Sequence, residues 1–440
     1  MIRRPHKVMP PRRGAGAAPG AARGLLVVHA AELVTLRGPW VRARRREEMR
    51  DLGIVPDGAV YMEDGRIREV GDTRDVLRVR GDVKDVIDAT GKVVLPGFVD
   101  AHTHAAFAGS RHGELAWKAE GLSYQEIAAR GGGILRTVKD TRAAPREALV
   151  AATKKRLDGM LRFGTTTAEV KSGYGLTTES ELGILQAIDA LSGSHPIGLV
   201  STFLGAHAVP PEFEGRADAY ADLVAGEMIP AVSSRTGARF CDVWVEGGYF
   251  TADEGRRVLA AAKAHGLDGK VHADELSDAG GAALAAEVGA VSADHLLHAS
   301  EAGLRAIADA GVVGVLLPGT CLASNLPFAD ARRIITAGVP VALGTDLSPA
   351  TWNESMQSVL ALATHSLGMY PEEAVTAATV NAAFAVGKGT EVGTLEPGKA
   401  GDLLILDADS VGHLGYRLGG NLVEKVVKAG RVVVDRAPLR

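Results

Sequence analysis

The chain has 440 residues, and its 49 basic and 53 acidic side chains give a formal net charge of −4. This near balance argues against binding of nucleic acid or of a membrane surface through net charge. No apolar run approaches the roughly 18 residues that a membrane-spanning helix needs. Two cysteines, Cys241 and Cys321, are too few for a disulfide framework. These features predict a compact enzyme of a reducing, cytoplasmic compartment.

The first segment, residues 1–23, differs in composition from the rest of the chain. It carries six basic side chains, four prolines and no acidic side chain. No apolar stretch follows that could serve as the core of a signal peptide. We predict a disordered basic tail, with a targeting or binding arm as the alternative.

Short β-like runs follow from Gly24 and return near the C-terminus. Asp64-Gly65 lies between two of the early runs, and Ala429-Gly430 lies between two of the late ones. Asp-Gly is a hairpin signal, because glycine tolerates the positive φ of a tight primed turn. We therefore predict a small β-sandwich domain built from both chain ends, residues 24–95 and 390–440. The stretch between them is then an insertion.

The middle of the chain, residues 96–389, alternates buried-strand patterns with alanine-rich helical patterns. Eight candidate strands occur in it, at residues 97–104, 165–170, 198–203, 241–246, 270–273, 292–295, 312–317 and 339–345. Eight strand–helix repeats predict an α/β fold with a closed (β/α)₈ TIM barrel. A doubly wound open sheet is the alternative, but no G-x-G-x-x-G motif opens its first unit.

Polar residues at the ends of several candidate strands indicate a metal site. His102 and His104 end the first strand on the same face, so both imidazoles can converge on one ion. His272, His295 and Asp346 end three later strands, and a barrel places all strand ends on one rim. Three neutral nitrogens and one carboxylate, from His102, His104, His272 and Asp346, suit Zn²⁺ or another first-row metal. Such an ion lowers the pKa of its water towards about 7.

The motif VLPGFVDAHTH at residues 94–104 resembles the first-strand signature of the amidohydrolase superfamily. Within it, the chain is similar to the imidazolonepropionase family, which opens an imidazolone ring in histidine degradation. The resemblance extends from about Gly24 to Asp435. It is supported by residues 109–111, 131–134, 169–175, 204–210, 272–275 and 292–295, among which KSGYG and LGAH are the more specific motifs.

This resemblance implies an activity, a metal and a substrate class. The activity is hydrolysis of the cyclic amide of 4-imidazolone-5-propanoate to N-formimino-L-glutamate by a metal-bound hydroxide. One ion per subunit is expected, zinc or else iron, because two-metal relatives carry a bridging lysine on the fourth strand and residues 240–246 contain none. The partner is a small anionic imidazolone, with no nucleic acid and no membrane. Relatives often form homodimers.

The resemblance also assigns roles to three residues near the metal and to one farther away. Glu275 transfers protons and contacts the ring, and Asp346 both ligates and accepts the proton of the water. His295 lies near the substrate carbonyl, and a fifth-ligand role for it stays open. Arg111 suits the carboxylate of a propionate arm, because a guanidinium binds carboxylates through two parallel hydrogen bonds.

Further substrate contacts are implied at Tyr124, Tyr174 and His207. The glycine run 131–133 is not followed by Lys-Ser/Thr at the spacing of a phosphate-binding loop. We expect these glycines to let a tight active-site loop approach the ligand.

One segment departs from the family pattern and keeps a second function open. The family reads Asp-x-Asn-Pro-Gly-Thr from the metal aspartate onwards, whereas this chain has Ser348 in place of the asparagine and Ala350 in place of the glycine. Thr351, also a predicted substrate contact, matches the family threonine. Serine is shorter than asparagine and offers one donor where the amide offers two. Alanine disfavours the positive φ that glycine permits. A related mononuclear amidohydrolase, a deaminase or another cyclic-amide hydrolase, is therefore the alternative, and a non-catalytic metal-binding barrel is a third reading.

Overall fold

The computed structural model describes residues 24–38, 41–122 and 124–436. Within these ranges the strands form two sheets, a parallel barrel sheet and a separate mixed sheet drawn from both ends of the chain. This confirms the predicted (β/α)₈ barrel with a small β domain. The predicted tail 1–23 lies outside the described residues. In the described ranges, no helix is both long and apolar enough to cross a membrane.

The mixed sheet joins the two chain ends. Its described strands, numbered in chain order through the whole chain, are β1 (Gly24–Val34), β2 (Ile54–Glu63), β3 (Arg66–Asp72), β4 (Asp85–Asp88), β5 (Val93–Pro96), β14 (Leu403–Leu406), β15 (Val423–Lys428) and β16 (Arg431–Asp435). The order is β16-β15-β14-β5-β1-β2-β3, and β4 pairs with β1. Strand β14 lies antiparallel to β5, with Leu404 opposite Leu95. The C-terminal strands therefore extend a sheet begun by the N-terminal ones.

Both predicted hairpins form. Asp64 and Gly65 have φ of 51° and 78°, and Ala429 and Gly430 have φ of 47° and 69°. Positive φ at both central residues is typical of the type I′ turn, whose twist matches that of the strands it joins.

The barrel strands run parallel in chain order. They are β6 (Phe98–Asp100), β7 (Thr165–Lys171), β8 (Gly198–Ala206), β9 (Phe240–Val245), β10 (Asp268–Ala273), β11 (Ser292–His295), β12 (Val313–Leu316) and β13 (Val341–Leu343). Between β13 and β6 the barrel is closed by the Thr103–Leu347 bridge and by Asp100, whose carboxylate accepts hydrogen bonds from Thr345 N (2.9 Å) and Thr345 Oγ1 (2.6 Å). The carboxyl ends of all eight strands consequently surround one mouth.

Most helices cover the outside of the barrel and connect its strands, whereas the first, Thr73–Arg80, packs against β2 and β3 of the mixed sheet. The α-helices of the described chain are α1 (Thr73–Arg80), α2 (Glu114–Ala119), α3 (Tyr124–Ala129), α4 (Gly133–Ala143), α5 (Arg146–Arg162), α6 (Thr178–Ser192), α7 (Ala217–Leu223), α8 (Ile229–Arg235), α9 (Ala252–Ala264), α10 (Gly281–Val288), α11 (Glu301–Ala310), α12 (Pro318–Ser324), α13 (Ala331–Thr336), α14 (Met356–Ser366), α15 (Pro371–Ala377), α16 (Val380–Ala385) and α17 (His413–Tyr416). Helix α11 shows how the sequence sets the bounds: Ser300 accepts a hydrogen bond from Gly303 N at its start, and Gly311 ends it with φ of 76°.

One buried side chain links the N-terminal part of the chain to the barrel. Asn381 Oδ1 accepts a hydrogen bond from Arg44 N (2.7 Å), and Asn381 Nδ2 donates to Arg44 O (3.0 Å) and to Val341 O (2.8 Å). Because Val341 starts the last barrel strand, this amide fixes the segment before β2 against the barrel.

Candidate active site

A cavity of about 600 Å³ opens at the carboxyl ends of the barrel strands. Its walls include eleven of the residues that the sequence predicts for the site: His104, Arg111, Tyr174, His207, His272, Glu275, His295, Asp346, Ser348, Ala350 and Thr351. His102 is fully buried beneath its floor. Tyr124 begins α3, and its side chain lies outside the described part, so its contact with substrate stays a prediction.

Four of these residues bring ligand atoms together at the floor. His104 Nε2 lies 3.2 Å from His102 Nε2 and 3.4 Å from His272 Nε2. Asp346 Oδ1 lies 3.5 Å from His104 Nε2 and 3.7 Å from His102 Nε2. A tetrahedral site with bonds of about 2.0–2.1 Å separates neighbouring ligand atoms by about 3.4 Å. His102, His104 and Asp346 therefore form a group that could hold a metal ion, and His272 Nε2 adjoins this group through His104.

Burial keeps two of these imidazoles neutral, as metal binding requires. The pKa values of His102 and His104 lie well below the ordinary value, mainly because burial disfavours the charged ring. The opposite ring nitrogens of two ligands face carboxylates: His102 Nδ1 lies 2.6 Å from Asp294 Oδ2, and His272 Nδ1 lies 2.9 Å from Asp242 Oδ2. These contacts direct Nε2 of both rings at the cavity floor.

Glu275 and His295 adjoin these four residues, which we call the metal group. Glu275 Oε1 lies 3.7 Å from His295 Nδ1. Burial, reinforced by the charges of Asp346 and Glu246, raises the pKa of Glu275 to about 8. Burial also lowers the pKa of His295 well below its usual value. His102, His272 and His295 form a second group with ligand atoms within 4.8 Å of one another, so a fifth-ligand role for His295 also fits the geometry.

Asp346 is held by a neighbouring hydroxyl. Burial raises its pKa to about 6, and the Thr320 hydroxyl donates a hydrogen bond to Asp346 Oδ2. This leaves Oδ1 directed at the histidines. The local φ of Asp346 is 48°, so the chain turns sharply just after the last barrel strand.

Arg111 lies in the cavity wall and is oriented by an acidic neighbour. Its Nε and Nη2 donate to the two carboxylate oxygens of Glu114, each at 2.9 Å. Glu114 Oε1 also accepts a hydrogen bond from Gly133 N at 2.8 Å. A Cβ at Gly132 would come within 2.8 Å of Ile127 and within 2.9 Å of Glu114 Oε1. The glycine run thus allows close approach to the Arg111–Glu114 pair. Its approach to the ligand stays a prediction.

Tyr174 and His207 form the wall beside His104. The His207 ring stacks on the His104 ring, with centroids 4.9 Å apart, and Tyr174 lies 5.3 Å from His207. His207 Nδ1 lies 3.0 Å from Gly173 O, and burial lowers the pKa of His207 to about 3. Gly173 has φ of 105°, and a Cβ there would lie 2.8 Å from His207 Nδ1. The KSGYG motif therefore needs its first glycine to place this imidazole.

Residues 348–351, where the sequence differs from the family pattern, form a closed turn at the cavity edge. Ser348 N donates to Thr351 O (3.0 Å), and Thr351 N donates to Ser348 Oγ (3.1 Å). Ala350 does not have a positive φ, so alanine fits this backbone without strain. Serine and alanine at these positions are compatible with the turn.

Sequence reasoning missed Trp244, which also lines the cavity. Its indole Nε1 is buried and has no hydrogen-bond partner among the described residues, and its ring lies 3.8 Å from that of Tyr249. Alternation along β9 could have revealed it, because Asp242, Trp244 and Glu246 share one face. Lys118 is a second missed residue: it lines the cavity, and its Nζ donates to Ala323 O at 2.9 Å.

Comparison with known proteins places this site in a family. Residues 93–433 match the sequence model of the amidohydrolase family, so the chain belongs to that family. It is 52% identical to the imidazolonepropionase of Symbiobacterium thermophilum, over 94% of this chain and 98% of that one. It is 50% identical to the imidazolonepropionase of Geobacillus kaustophilus over the same shares. Within the amidohydrolases, the chain therefore belongs to the imidazolonepropionases.

Solved structures of more distant proteins share the fold. A triazine hydrolase variant superposes with a TM-score of 0.72 at 17% identity, covering 94% of this chain and 95% of that chain. Guanine deaminase of E. coli gives a TM-score of 0.68 at 16% identity, covering 94% and 100%. At these identities the likeness concerns the architecture alone.

Proposed function

We propose that this chain hydrolyses the ring amide of 4-imidazolone-5-propanoate to N-formimino-L-glutamate. The observation that carries the proposal is one cavity that joins a His/Asp group at its floor to a guanidinium in its wall. The floor suits a metal-assisted hydrolysis, and the guanidinium suits an anionic arm of the substrate. The relatives at 50–52% identity are named imidazolonepropionase, which supports the same reading.

His102, His104, His272 and Asp346 would hold one metal ion. When bound, the ion supplies a Lewis acid and lowers the pKa of a coordinated water molecule. We propose zinc, with iron as the alternative, since imidazole and carboxylate ligands accommodate both.

Arg111 would bind the propionate carboxylate of the substrate. Glu114 holds the guanidinium from one side, so its orientation is set before substrate arrives. Tyr174 and His207 would contact the imidazolone ring, because both line the cavity next to His104. Fixing the ring and its arm brings the amide carbonyl to the floor, which reduces the entropic cost of the reaction.

Glu275 would move the proton. Water adds to the carbonyl carbon, the ring C–N bond breaks, and the leaving nitrogen receives a proton while a carboxylate forms. Glu275 is buried next to His295 and close to the floor, and burial favours its protonated form. A raised pKa makes the ionised carboxylate a stronger base, so ionised Glu275 can accept a proton from water, and the resulting carboxylic acid can return it to the nitrogen. His295 would donate a hydrogen bond to the developing oxyanion.

The direct test is the loss of imidazolone absorbance with protein loaded with Zn²⁺, and identification of N-formimino-L-glutamate as the product. We expect turnover that disappears with a chelator and returns with the metal. No turnover by metal-loaded protein, together with hydrolysis of another lactam or ammonia release from an aminated heterocycle, would overturn the substrate assignment.

Several narrower statements are proposals of the same kind. We propose domain boundaries at residues 95/96 and 389/390, with 1–23 as a separate segment. We also propose that the enzyme acts in the cytoplasm on a small-molecule substrate, without nucleic acid or membrane partners, and that two copies form a homodimer. Size-exclusion chromatography with light scattering tests the dimer.

A further inference from the structure

A layer of charged side chains fills the barrel interior directly beneath the metal group. Five of its members have fully buried side chains: Glu169, Lys171, Asp242, Lys270 and Asp294. Two positive and three negative groups make the layer ionic, and burying charges is favourable only when they are closely paired. The proposed reaction gives none of these five a role in chemistry.

Lys171 is the central cation of this layer. It ends β7, inside the KSGYG motif, and its Nζ lies 2.7 Å from Asp242 Oδ2 and 2.9 Å from Glu169 Oε1. The same Nζ lies 3.6 Å from Asp294 Oδ2. One ammonium group therefore bridges carboxylates from the second, fourth and sixth barrel strands.

Two of those carboxylates touch metal-binding histidines through the same oxygens. Asp242 Oδ2 faces His272 Nδ1 at 2.9 Å, and Asp294 Oδ2 faces His102 Nδ1 at 2.6 Å. Each oxygen thus lies between the Lys171 ammonium and an imidazole. A single side chain sets the positions of both carboxylates that orient the ligands.

We propose that Lys171 is a positioning residue of the metal centre, which it serves by fixing Asp242 and Asp294 so that His272 and His102 present Nε2 to the ion. Partners of this kind, one contact removed from the metal, orient the ligands. Without the ammonium, two negative carboxylates face each other in a medium of low dielectric constant and move apart. The imidazoles that they hold then turn away from the geometry an ion needs.

Lys270 provides a matched control in the same layer. It is equally buried, and its Nζ lies 3.0 Å from Glu169 Oε1 and 3.9 Å from Asp294 Oδ2. Its other polar contacts are the backbone oxygens Ala101 O (3.2 Å) and Ala385 O (3.5 Å). Among the described contacts none joins it to Asp242, so it does not bridge the two carboxylates that hold histidines.

The test compares Lys171→Met with Lys270→Met in the full chain. Zn²⁺ affinity is measured by competition with a chromogenic chelator, and the Tm of the metal-free proteins reports the structural cost of each change. We expect Lys171→Met to bind Zn²⁺ about 10- to 100-fold more weakly, the loss typical of such partners. Lys270→Met should bind Zn²⁺ within about threefold of the affinity of the unaltered chain. Its Tm should fall by about as much as that of Lys171→Met, because both changes remove a buried charge from the same layer. Equal affinities of the two variants would overturn the proposal.

A spectroscopic measurement separates positioning from general weakening of the fold. Co²⁺ bound to the site gives visible absorption bands that depend on ligand geometry, and we expect these bands to change in Lys171→Met and to persist in Lys270→Met. If Lys171→Met does not fold, Lys171→Gln keeps a hydrogen-bond donor without the charge and should show the same direction of change. Unchanged bands and affinity in Lys171→Gln would overturn the proposal.

This inference rests on the proposed metal site, and the two fail in different ways. If the unaltered chain binds neither Zn²⁺ nor Co²⁺, the metal site itself is wrong and the role of Lys171 falls with it. If the unaltered chain and both lysine variants bind the ions alike, the metal site stands and the role of Lys171 alone is wrong.

Discussion

Replacement of Glu275 should separate chemistry from metal binding. It lies beside His295 and is not one of the four residues proposed to hold the metal. We expect Glu275→Gln to lower kcat by about 10² to 10⁴-fold, the range for loss of a general acid–base group, with unchanged Zn²⁺ content. Steady-state assays and metal analysis check this. The exposed acid Glu287 serves as control: Glu287→Gln should behave as the unaltered enzyme, and a Glu275→Gln variant that retains full kcat contradicts the role.

Arg111 and Glu114 should affect substrate binding to different degrees. Arg111→Ala removes a charged hydrogen-bond donor worth about 1.5–3 kcal/mol, so KM should rise by about 10- to 150-fold. Glu114→Gln keeps Arg111 but weakens its orientation, and a smaller increase in KM is expected. Kinetics of both variants give the comparison. A large fall in kcat with unchanged KM in Arg111→Ala would show that the guanidinium does not bind the propionate.

Trp244 lines the cavity and has a buried indole N–H without a partner among the described residues, so we expect it to donate a hydrogen bond to the substrate. Trp244→Phe keeps an aromatic ring against Tyr249 and removes the donor, so we expect kcat/KM to fall by about fivefold, near 1 kcal/mol for one neutral hydrogen bond. Trp352→Phe is the matched control, since Trp352 is half-exposed and outside the cavity lining. Equal effects of the two changes would contradict a substrate contact at Trp244.

The sequence predicted which candidate metal residues lie together better than it predicted the contacts that support them. The sequence could predict that four residues lie together, because each follows an apolar run and a barrel brings such positions to one rim. These residues are His102, His104, His272 and Asp346. The sequence could not predict that Lys171 contacts two carboxylates, because these contacts cross the barrel interior between strands far apart in the chain.

At the level of elements, strand positions were predicted and their ends were not. The first barrel strand was predicted to reach His104, but the ladder of β6 ends at Asp100. The last was predicted over 339–345, and β13 covers only Val341–Leu343. Apolar patterns report burial, whereas strand bounds depend on which neighbour accepts each hydrogen bond. Here hydrogen bonds from the backbone N and the hydroxyl of Thr345 to the Asp100 carboxylate replace the ladder where it stops.

Asn381 should contribute strongly to the attachment of the N-terminal segment. Asn381→Ala leaves Arg44 N, Arg44 O and Val341 O without the partners described above. Each unsatisfied buried group costs about 1–3 kcal/mol, so the free energy of unfolding should fall by at least about 2 kcal/mol. Urea titration measures it, with the exposed Ser194→Ala as control. A loss no larger than that of Ser194→Ala would contradict this account.

Over the whole molecule, the β domain illustrates what composition can and cannot predict. Similar β-like runs at both ends predicted one domain from two segments. The pairing of β14 with β5 could not be predicted from the sequence, since both are short apolar runs that fit several neighbours equally well. The domain boundaries at 95/96 and 389/390 stay predictions.

Metal binding should stabilise the entire fold. An ion that binds only the folded chain raises the free energy of unfolding by about 2.7 kcal/mol at a free concentration of 100 times Kd. We therefore expect Tm to rise on adding Zn²⁺ and to fall again with a chelator, measured by calorimetry. Mg²⁺ is the control, because it prefers octahedral oxygen ligands. A Tm insensitive to Zn²⁺ would contradict binding at the four-residue group.

The pairing of β14 with β5 also bears on how the polypeptide is made. During synthesis on the ribosome, β5 emerges about 300 residues before Leu403–Leu406, and until then its edge has no permanent neighbour on that side. An uncovered apolar edge invites pairing with other chains. Nascent chains interrupted before residue 403 should thus be the species most dependent on chaperones in the cell.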